Sequence, residues 1–509
     1  MLYEGANKGI EQYKMPISFN ATTFNRYVYQ DIAPKSHDPA VLERMGKEAE
    51  GALQPGIIGL AKTWSDQVLP ELKRNWEAYR ALDLSKMTDA QLAEHLQWVV
   101  ERRAREWRLH FVIAFPMILG LGLFEHVYHQ MLPTKDEFEP FVLLQGLPNK
   151  TLEGNIALWN VSREAKKSPA VLAALKQNSP EAVYADLGKS KEGQAFLAKF
   201  KAFLDVYGWR GDSWYIDDRS WVVYPRAPLT SLKSYVDQPD SDSPEALQQR
   251  MASEREVAVA RSLNRLASHP KEAQGQFMGM LKAAQTCNVL QEDHNFWIDQ
   301  TLQHYARRSF VEAGRRLTAQ GRLAEADDII HLTESESRDA MRNKQDYRQT
   351  VATRKAELEK WRKVAPPPVL GTMPPPHPPG YQPNPMEMTI MRFFGGPPKQ
   401  STATLVRGNP ASKGKVTGYA RVVRGLSEAK DLKIGEVLVC PTTSPPWTPF
   451  FRVASAVVTD TGGILSHCAI VAREFGIPAI VGTTVGTSTI KTGQRIIVDG
   501  AAGTIEILG

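Results

Sequence analysis

Cysteine is scarce in this chain: Cys287, Cys440 and Cys468 are the three in 509 residues, far apart and odd in number. That excludes a disulfide framework and points to a reducing compartment. No C-x-x-C pair occurs, so no zinc site built on paired thiolates is indicated. Charge of one sign is also lacking. The net charge of +6 is spread over 62 basic and 56 acidic residues, without the dense basic tract that tracks nucleic acid. Long apolar runs are absent too. The most apolar stretch, Phe111 to Phe124, contains Pro116 and falls short of the roughly 20 residues a bilayer span needs. It reads as a buried helix or a pocket wall. The N-terminus, MLYEGANKGIEQYKMP, lacks a basic-then-apolar signal pattern. A cytoplasmic protein with neither nucleic-acid nor membrane partners is expected. Finally, no glycine-rich loop ending in Lys-Ser/Thr is present to cradle a nucleotide's phosphates.

What is present divides at proline. Residues 1–363 read mainly as helices. DAQLAEHLQWVVERRAREWRLHF repeats apolar positions at helical spacing, with Asp89 as the N-cap. PEALQQRMASEREVAVARSLNRLA and RDAMRNKQDYRQTVATRKAELEKWRK read as long amphipathic helices. The irregular segment Tyr207 to Thr230, rich in Gly, Trp, Tyr and Asp, interrupts them. The tract VAPPPVLGTMPPPHPPGYQPNP (Val364 to Pro385) then lacks the backbone donors for a helix or sheet, and 364–400 is expected to be a linker. Residues 401–509 change character: short β-branched runs separated by glycines, with two helical pieces, one after Leu426 and one near Ser466. The expected fold is therefore multidomain, a mainly α-helical N-terminal domain followed by a compact C-terminal α/β domain.

One stretch of the second domain carries chemistry. TDTGGILSHCAIVAREFGIPAIVG (Thr459 to Gly482) puts His467 in the first turn of a helix that Gly476 stops and Pro478 prevents from continuing. Free N–H groups at a helix start attract anions and penalise an imidazolium, so a neutral imidazole beside a phosphate-friendly loop is expected. Gly462 and Gly463 allow the backbone to approach closely. The bland alternative is a histidine hydrogen-bonded beside a turn.

The GG-x-x-SH-x-AI-x-ARE core, with GNPASKGKVTGYARVV and GEVLVCPTTSPPWTPFF upstream and GQRIIVDGAAGTIEI downstream, resembles the phosphohistidine domain of the phosphoenolpyruvate synthase and pyruvate phosphate dikinase superfamily. The resemblance runs from about Leu405 to the end. It implies that His467 is transiently phosphorylated on a swivelling domain tethered by the proline tract. It assigns phosphate-loop support to Thr459, Gly462, Gly463 and Ser466. Arg473, six residues from His467 and off its helix face, is expected to pair with an acid or contact a partner domain. FLDVYGWRGDSWYIDDRSW, VLQEDHNFWID and ARRSFVEAGRRLTAQGRLAEADDIIHLTESE look like the helical substrate domain of rifampicin phosphotransferase.

Nothing in the helical half looks like an ATP-grasp domain. This combination resembles the split phenol-phosphorylating enzymes, phenylphosphate synthase and the two-subunit 4-cresol phosphotransferases. It implies a separate ATP-grasp subunit that binds ATP and Mg²⁺, a small aromatic hydroxyl substrate, and AMP and phosphate as by-products. Trp209, Trp214, Tyr215, Trp221 and Phe296 are candidates for an apolar acceptor pocket. Phenol, with a pKa near 10, needs a base and a cation. His110, His126, His129, His294, Asp212 and Asp293 are candidate bases, and Arg210 and Arg307 candidate cations. His126 and His129 share a helix face, but no third ligand nearby makes them a metal site. Two other readings remain open, an antibiotic-modifying phosphotransferase of the rifampicin type and a regulatory phosphocarrier.

Overall fold

The computed structural model describes residues 1–211, 216–364, 366–367, 370–371, 385–396, 399–444 and 447–508. Asp212, Trp214, Tyr215 and most of the proline tract lie outside the described residues. Contacts divide the chain into two compact units: Met1–Pro116 with Tyr215–Asp217 and Trp297–Gln382, and Met117–Trp214 with Asp218–Phe296 and Pro383–Gly509.

The first unit is mainly helical, as expected, and adds an N-terminal antiparallel hairpin, β1 (Ile17–Phe24) and β2 (Tyr27–Pro34), that the sequence reading did not single out. The hairpin hides because its strands are largely solvated and so lack a buried alternating face. The unit's core packs Leu92 and Leu96 against Leu317, Ile329, Tyr347 and Val351. Gly314 permits this: a Cβ there would fall 2.0 Å from the carbonyl oxygen of Ala326. Two helix boundaries differ from the sequence reading. The helix Asp89–Met131 is capped by Thr88, one residue before the expected Asp89. Thr88 Oγ1 accepts from the N–H of Gln91, whose side chain accepts from the N–H of Thr88. The expected single helix over 338–363 is two, Glu334–Ala340 and Arg348–Arg362. Arg322 captures the carbonyls of Ala340 and Gln345 and the Asn343 side chain, and the Tyr347 N–H reaches the Arg322 carbonyl. Long-range partners thus replace the helical hydrogen bonds that local spacing favoured.

Phe111 to Phe124 lies within Asp89–Met131, and that helix is long and apolar enough to cross a membrane by length and composition. Its most apolar stretch is 67% buried inside the protein, as in a core helix.

In the second unit, side chains written into the sequence start the helices. Asn149, Ser168, Ser179, Ser190 and Ser243 each cap the helix that follows, and Pro169, Pro180 and Pro244 occupy first helical positions. These helices include Lys150–Ala165, Lys191–Tyr207 and Pro244–Arg265, and the helix Lys271–His294 follows Pro270 without a side-chain cap.

The same unit holds an eight-stranded sheet formed by β3 (Leu405–Arg407), β4 (Asn409–Ser412), β5 (Lys415–Val422), β6 (Val437–Cys440), β7 (Ala456–Thr459), β8 (Ala479–Val481), β9 (Arg495–Asp499) and β10 (Thr504–Ile507), in the order β3-β10-β9-β5-β6-β7-β8-β4. Strands β5 to β8 pair in parallel. β6, β7 and β8 are buried throughout, which is why they read as continuous Val/Ile runs. Each such side chain contributes about 1.5–3 kcal/mol by leaving water. Within the expected linker 364–400, Pro385–Phe394 forms a helix.

Candidate active site around His467

Strand β7 ends at Thr459, and the loop that follows turns back at Gly462, whose φ of +103° favours glycine. Ser466 is the extended N-cap residue, His467 opens the helix His467–Phe475, and Gly476 closes it in the left-handed region at φ +65°. This stretch folds as its residues predict.

His467 Nδ1 lies 3.1 Å from Thr443 Oγ1. Where Nδ1–H donates to that hydroxyl, the in-plane lone pair lies on Nε2. Nε2 is sealed from solvent and has no hydrogen-bond partner among the described residues, although the residue as a whole is half-buried. The Phe451 ring stands edge-on to the imidazole at 6.3 Å. Burial pushes the imidazole down to about 3, so the ring is neutral, as expected, but through desolvation rather than the helix dipole.

The loop amides are held by protein carbonyls. Gly463 N–H donates to the Phe393 carbonyl at 2.9 Å and Leu465 N–H to that of Arg392 at 3.0 Å. A Cβ at position 463 would lie 2.1 Å from the Arg392 oxygen. The helix Pro385–Phe394 thus ends on the histidine loop. Gln291 Nε2 donates to the Leu465 carbonyl at 3.0 Å. Thr459 Oγ1 donates to the Thr461 carbonyl, while the Ser466 hydroxyl is buried and unpartnered among the described residues. Arg473 ties the Ala411 and Ile464 carbonyls together and lies over the Phe141 ring at 4.5 Å. It acts as a brace between loop, strand β4 and helical neighbour.

The acceptor candidates among the described residues are divided between the two units. Arg210 is buried with its guanidinium over the Trp221 ring at 4.4 Å, and burial lowers it to about 10. Trp209 flanks it in sequence and is part-buried, and Phe296 packs on Tyr207 at 6.2 Å. His294 Nδ1 meets the Leu290 carbonyl inside its own helix. Asp293 accepts from the Lys150 N–H at 2.7 Å and is raised by burial to about 6. Arg307 belongs to the other unit, where it pairs with Asp327 at 2.6 Å and donates to the Ile216 carbonyl. His110 also belongs to that unit and bonds Asp299 at 2.9 Å. His126 and His129 line a cavity closed by the helix Pro385–Phe394.

Three residues near the candidate site escaped the sequence reading. Thr443 lies 24 residues before His467 and had no local signal. Glu292 and Glu474 line one small cavity between the helices Lys150–Ala165, Pro244–Arg265 and His467–Phe475. Burial raises Glu292 to about 7 and Glu474 to about 8, and the charge of Glu292 adds to the Glu474 shift. The signal was their place inside the quoted motifs QEDH and ARE. The acid nearest the loop, Asp460, spends its carboxylate on Thr483 and Thr487. It therefore fits a structural tie and not a magnesium ligand.

Comparisons with known proteins match these parts. Residues 110–292 match the rifampicin phosphotransferase fourth domain, and 432–503 the mobile domain of PEP-utilising enzymes. The chain is 35% identical over 521 residues to chondramide synthase cmdD of Chondromyces crocatus, covering 100% of this chain and 13% of that protein. It is 30% identical over 436 residues to the uncharacterized phosphotransferase YvkC of Bacillus subtilis (84% and 51%). It is 30% identical over 371 residues to the rifampicin phosphotransferase of Streptomyces sviceus (71% and 40%). The chain thus spans about half the length of these curated relatives, or less. With the mobile domain built around His467 and a helical domain like that of rifampicin phosphotransferase, the chain belongs to the superfamily of PEP-utilising enzymes.

Proposed function

We propose that this chain is the acceptor-binding and phosphoryl-carrying part of an ATP-dependent phosphotransferase acting on a phenolic hydroxyl. The observation that carries the reading is the imidazole of His467, held neutral with Nδ1 anchored on Thr443 and Nε2 left as the nucleophile. Nε2 attacks phosphorus, forming an N–P bond as the P–O bond to the nucleotide breaks. The acceptor oxygen then attacks in turn, the N–P bond breaks, and the phenol proton passes to a base. ATP and Mg²⁺ are assigned to an ATP-grasp partner subunit: attack at the β-phosphorus expels AMP and leaves a pyrophosphoryl group on Nε2, from which water then cleaves the γ-phosphoryl group as phosphate. Since Nε2 is sealed in the arrangement described, the histidine domain must undock from its neighbours to be charged.

The test is incubation of the chain with its nucleotide-binding partner, labelled ATP and 4-cresol. An acid-labile, base-stable phosphohistidine and aryl phosphate are expected, both lost in His467→Ala. Aryl phosphate formed by His467→Ala would overturn the reading.

A second reading draws on relatives named rifampicin phosphotransferase: an antibiotic-sized acceptor. A panel of cresols against a rifamycin separates the two by which compound becomes phosphorylated.

A further inference from the structure

Under the helix Pro385–Phe394 lies a cavity of about 130 Å³ lined by Gly122, Glu125, His126, His129, Met388, Thr389 and Arg392. Both walls belong to the second unit. The helix comes this close because position 122 is glycine: a Cβ there would meet Thr389 Oγ1 at 1.9 Å. We propose that this cavity is the acceptor pocket, and that it takes a neutral single-ring aromatic carrying one hydroxyl. The inference rests on the phosphotransferase reading above and adds where the acceptor is held and how large it is.

Size is the first argument. An apolar cavity of about 150 Å³ holds one benzene ring, so this one holds a phenol or cresol and excludes a macrocycle. Chemistry is the second. Met388 and the Gly122 backbone offer a face for a ring, and a thioether is a favourable aromatic neighbour. The polar side holds two imidazoles and Arg392. Burial, then the Arg392 charge, lowers His129 from the ordinary imidazole value, which favours the neutral ring that can accept a proton. Arg392 can face a developing phenolate.

Charge is the third argument. Arg392 pairs with Glu125 at 3.1 Å and Glu137 at 3.7 Å, so the pocket carries no excess positive charge to hold a dianion or a free carboxylate. A metal is disfavoured because His126 Nε2 is already engaged by Gln130 at 2.8 Å. Position is the fourth. The last turn of the same helix supplies the Arg392 and Phe393 carbonyls that hold the histidine loop, so one element borders both the pocket and the carrier.

The experiment is a titration of the 509-residue chain with 4-fluorophenol followed by ¹⁹F NMR, repeated on Met388→Trp, which fills the cavity, and on His129→Phe. Saturable binding to the unaltered chain is expected, with the dissociation constant raised at least 10-fold in Met388→Trp and raised in His129→Phe. Thermal melts identify a variant that fails to fold, and the other variant then decides. Absence of saturable binding, or binding unchanged in the folded variants, overturns the proposal. The two readings fail separately. Aryl phosphate formed at full rate by Met388→Trp removes this pocket and leaves the phosphotransferase. Binding lost as expected, with no phenol ever phosphorylated, keeps the pocket and removes the phosphotransferase reading.

Discussion

Thr443 Oγ1 sits 3.1 Å from His467 Nδ1. It links the loop after β6 to the imidazole of His467 and bears on which ring nitrogen carries the proton. A single hydrogen bond of this kind contributes about 0.5–1.5 kcal/mol, enough to change a rate several-fold by changing the tautomer population. Thr443→Val should therefore slow phosphorylation of His467 by about 5- to 10-fold. Thr443→Ser should restore most of it. Phosphohistidine formation in single turnover measures both, and equal rates for Val and Thr would refute the role.

Gly463 meets the carbonyl of Arg392 where a Cβ would lie 2.1 Å away. Gly463→Ala must push the helix Pro385–Phe394 off the histidine loop, freeing the amides of Gly463 and Leu465. Faster hydrogen exchange at Leu465 is the expected signature, together with a loss of stability of about 1–3 kcal/mol. Exchange as slow as in the unaltered chain would show that the loop does not depend on this contact.

Arg473 holds two carbonyls and the face of Phe141. Its removal leaves buried carbonyls unpaired, and hydrogen bonds to charged groups contribute about 1.5–3 kcal/mol. Arg473→Ala should lower the melting temperature. Arg473→Lys should recover little, because a point charge cannot reproduce the planar fork. Full recovery with lysine would leave charge alone as the explanation.

Stability should depend on pH with two opposite slopes. Glu292 and Glu474 rise from the usual 4.5 to about 7 and about 8 in the folded chain. The folded state therefore holds protons that the unfolded state has lost, and their contribution fades as pH rises from about 4.5 toward 8. His467 falls from 6.5 to about 3. Below pH 6.5 the unfolded chain takes up a proton the folded chain refuses, so this contribution is lost as pH falls. Melting temperatures from pH 4 to 9 should show the alkaline decline flattened in Glu474→Gln. An NMR titration of His467 should show no protonation between pH 5 and 8, and a midpoint near 6.5 would contradict the burial.

Much of this was readable in the residues. The β6 to β8 runs, the glycine at position 476 and the serine and asparagine caps declare themselves through short-range rules, so the α/β domain and the histidine helix follow from local pattern. The hairpin β1–β2 did not, because an exposed two-stranded ribbon has no hydrophobic alternation to read. The split of 338–363 into two helices depends on Arg322, which arrives from outside the segment. The aromatic cluster proposed from Tyr207 to Phe296 had the right composition. In the structure Arg307 lies in a different unit from Arg210.

By itself the sequence determined that His467 opens a glycine-preceded helix in a β-rich domain, because helix starts, stops and buried strands are set by residues within a few positions of one another. Only the tertiary structure decided what surrounds it. Thr443 on Nδ1, the Arg392 and Phe393 carbonyls on the loop amides, Glu474 against Glu292, and the cavity beside His129 all join residues tens to hundreds of positions apart. Desolvation, which sets the imidazole neutral, is a property of that packing and not of any local stretch.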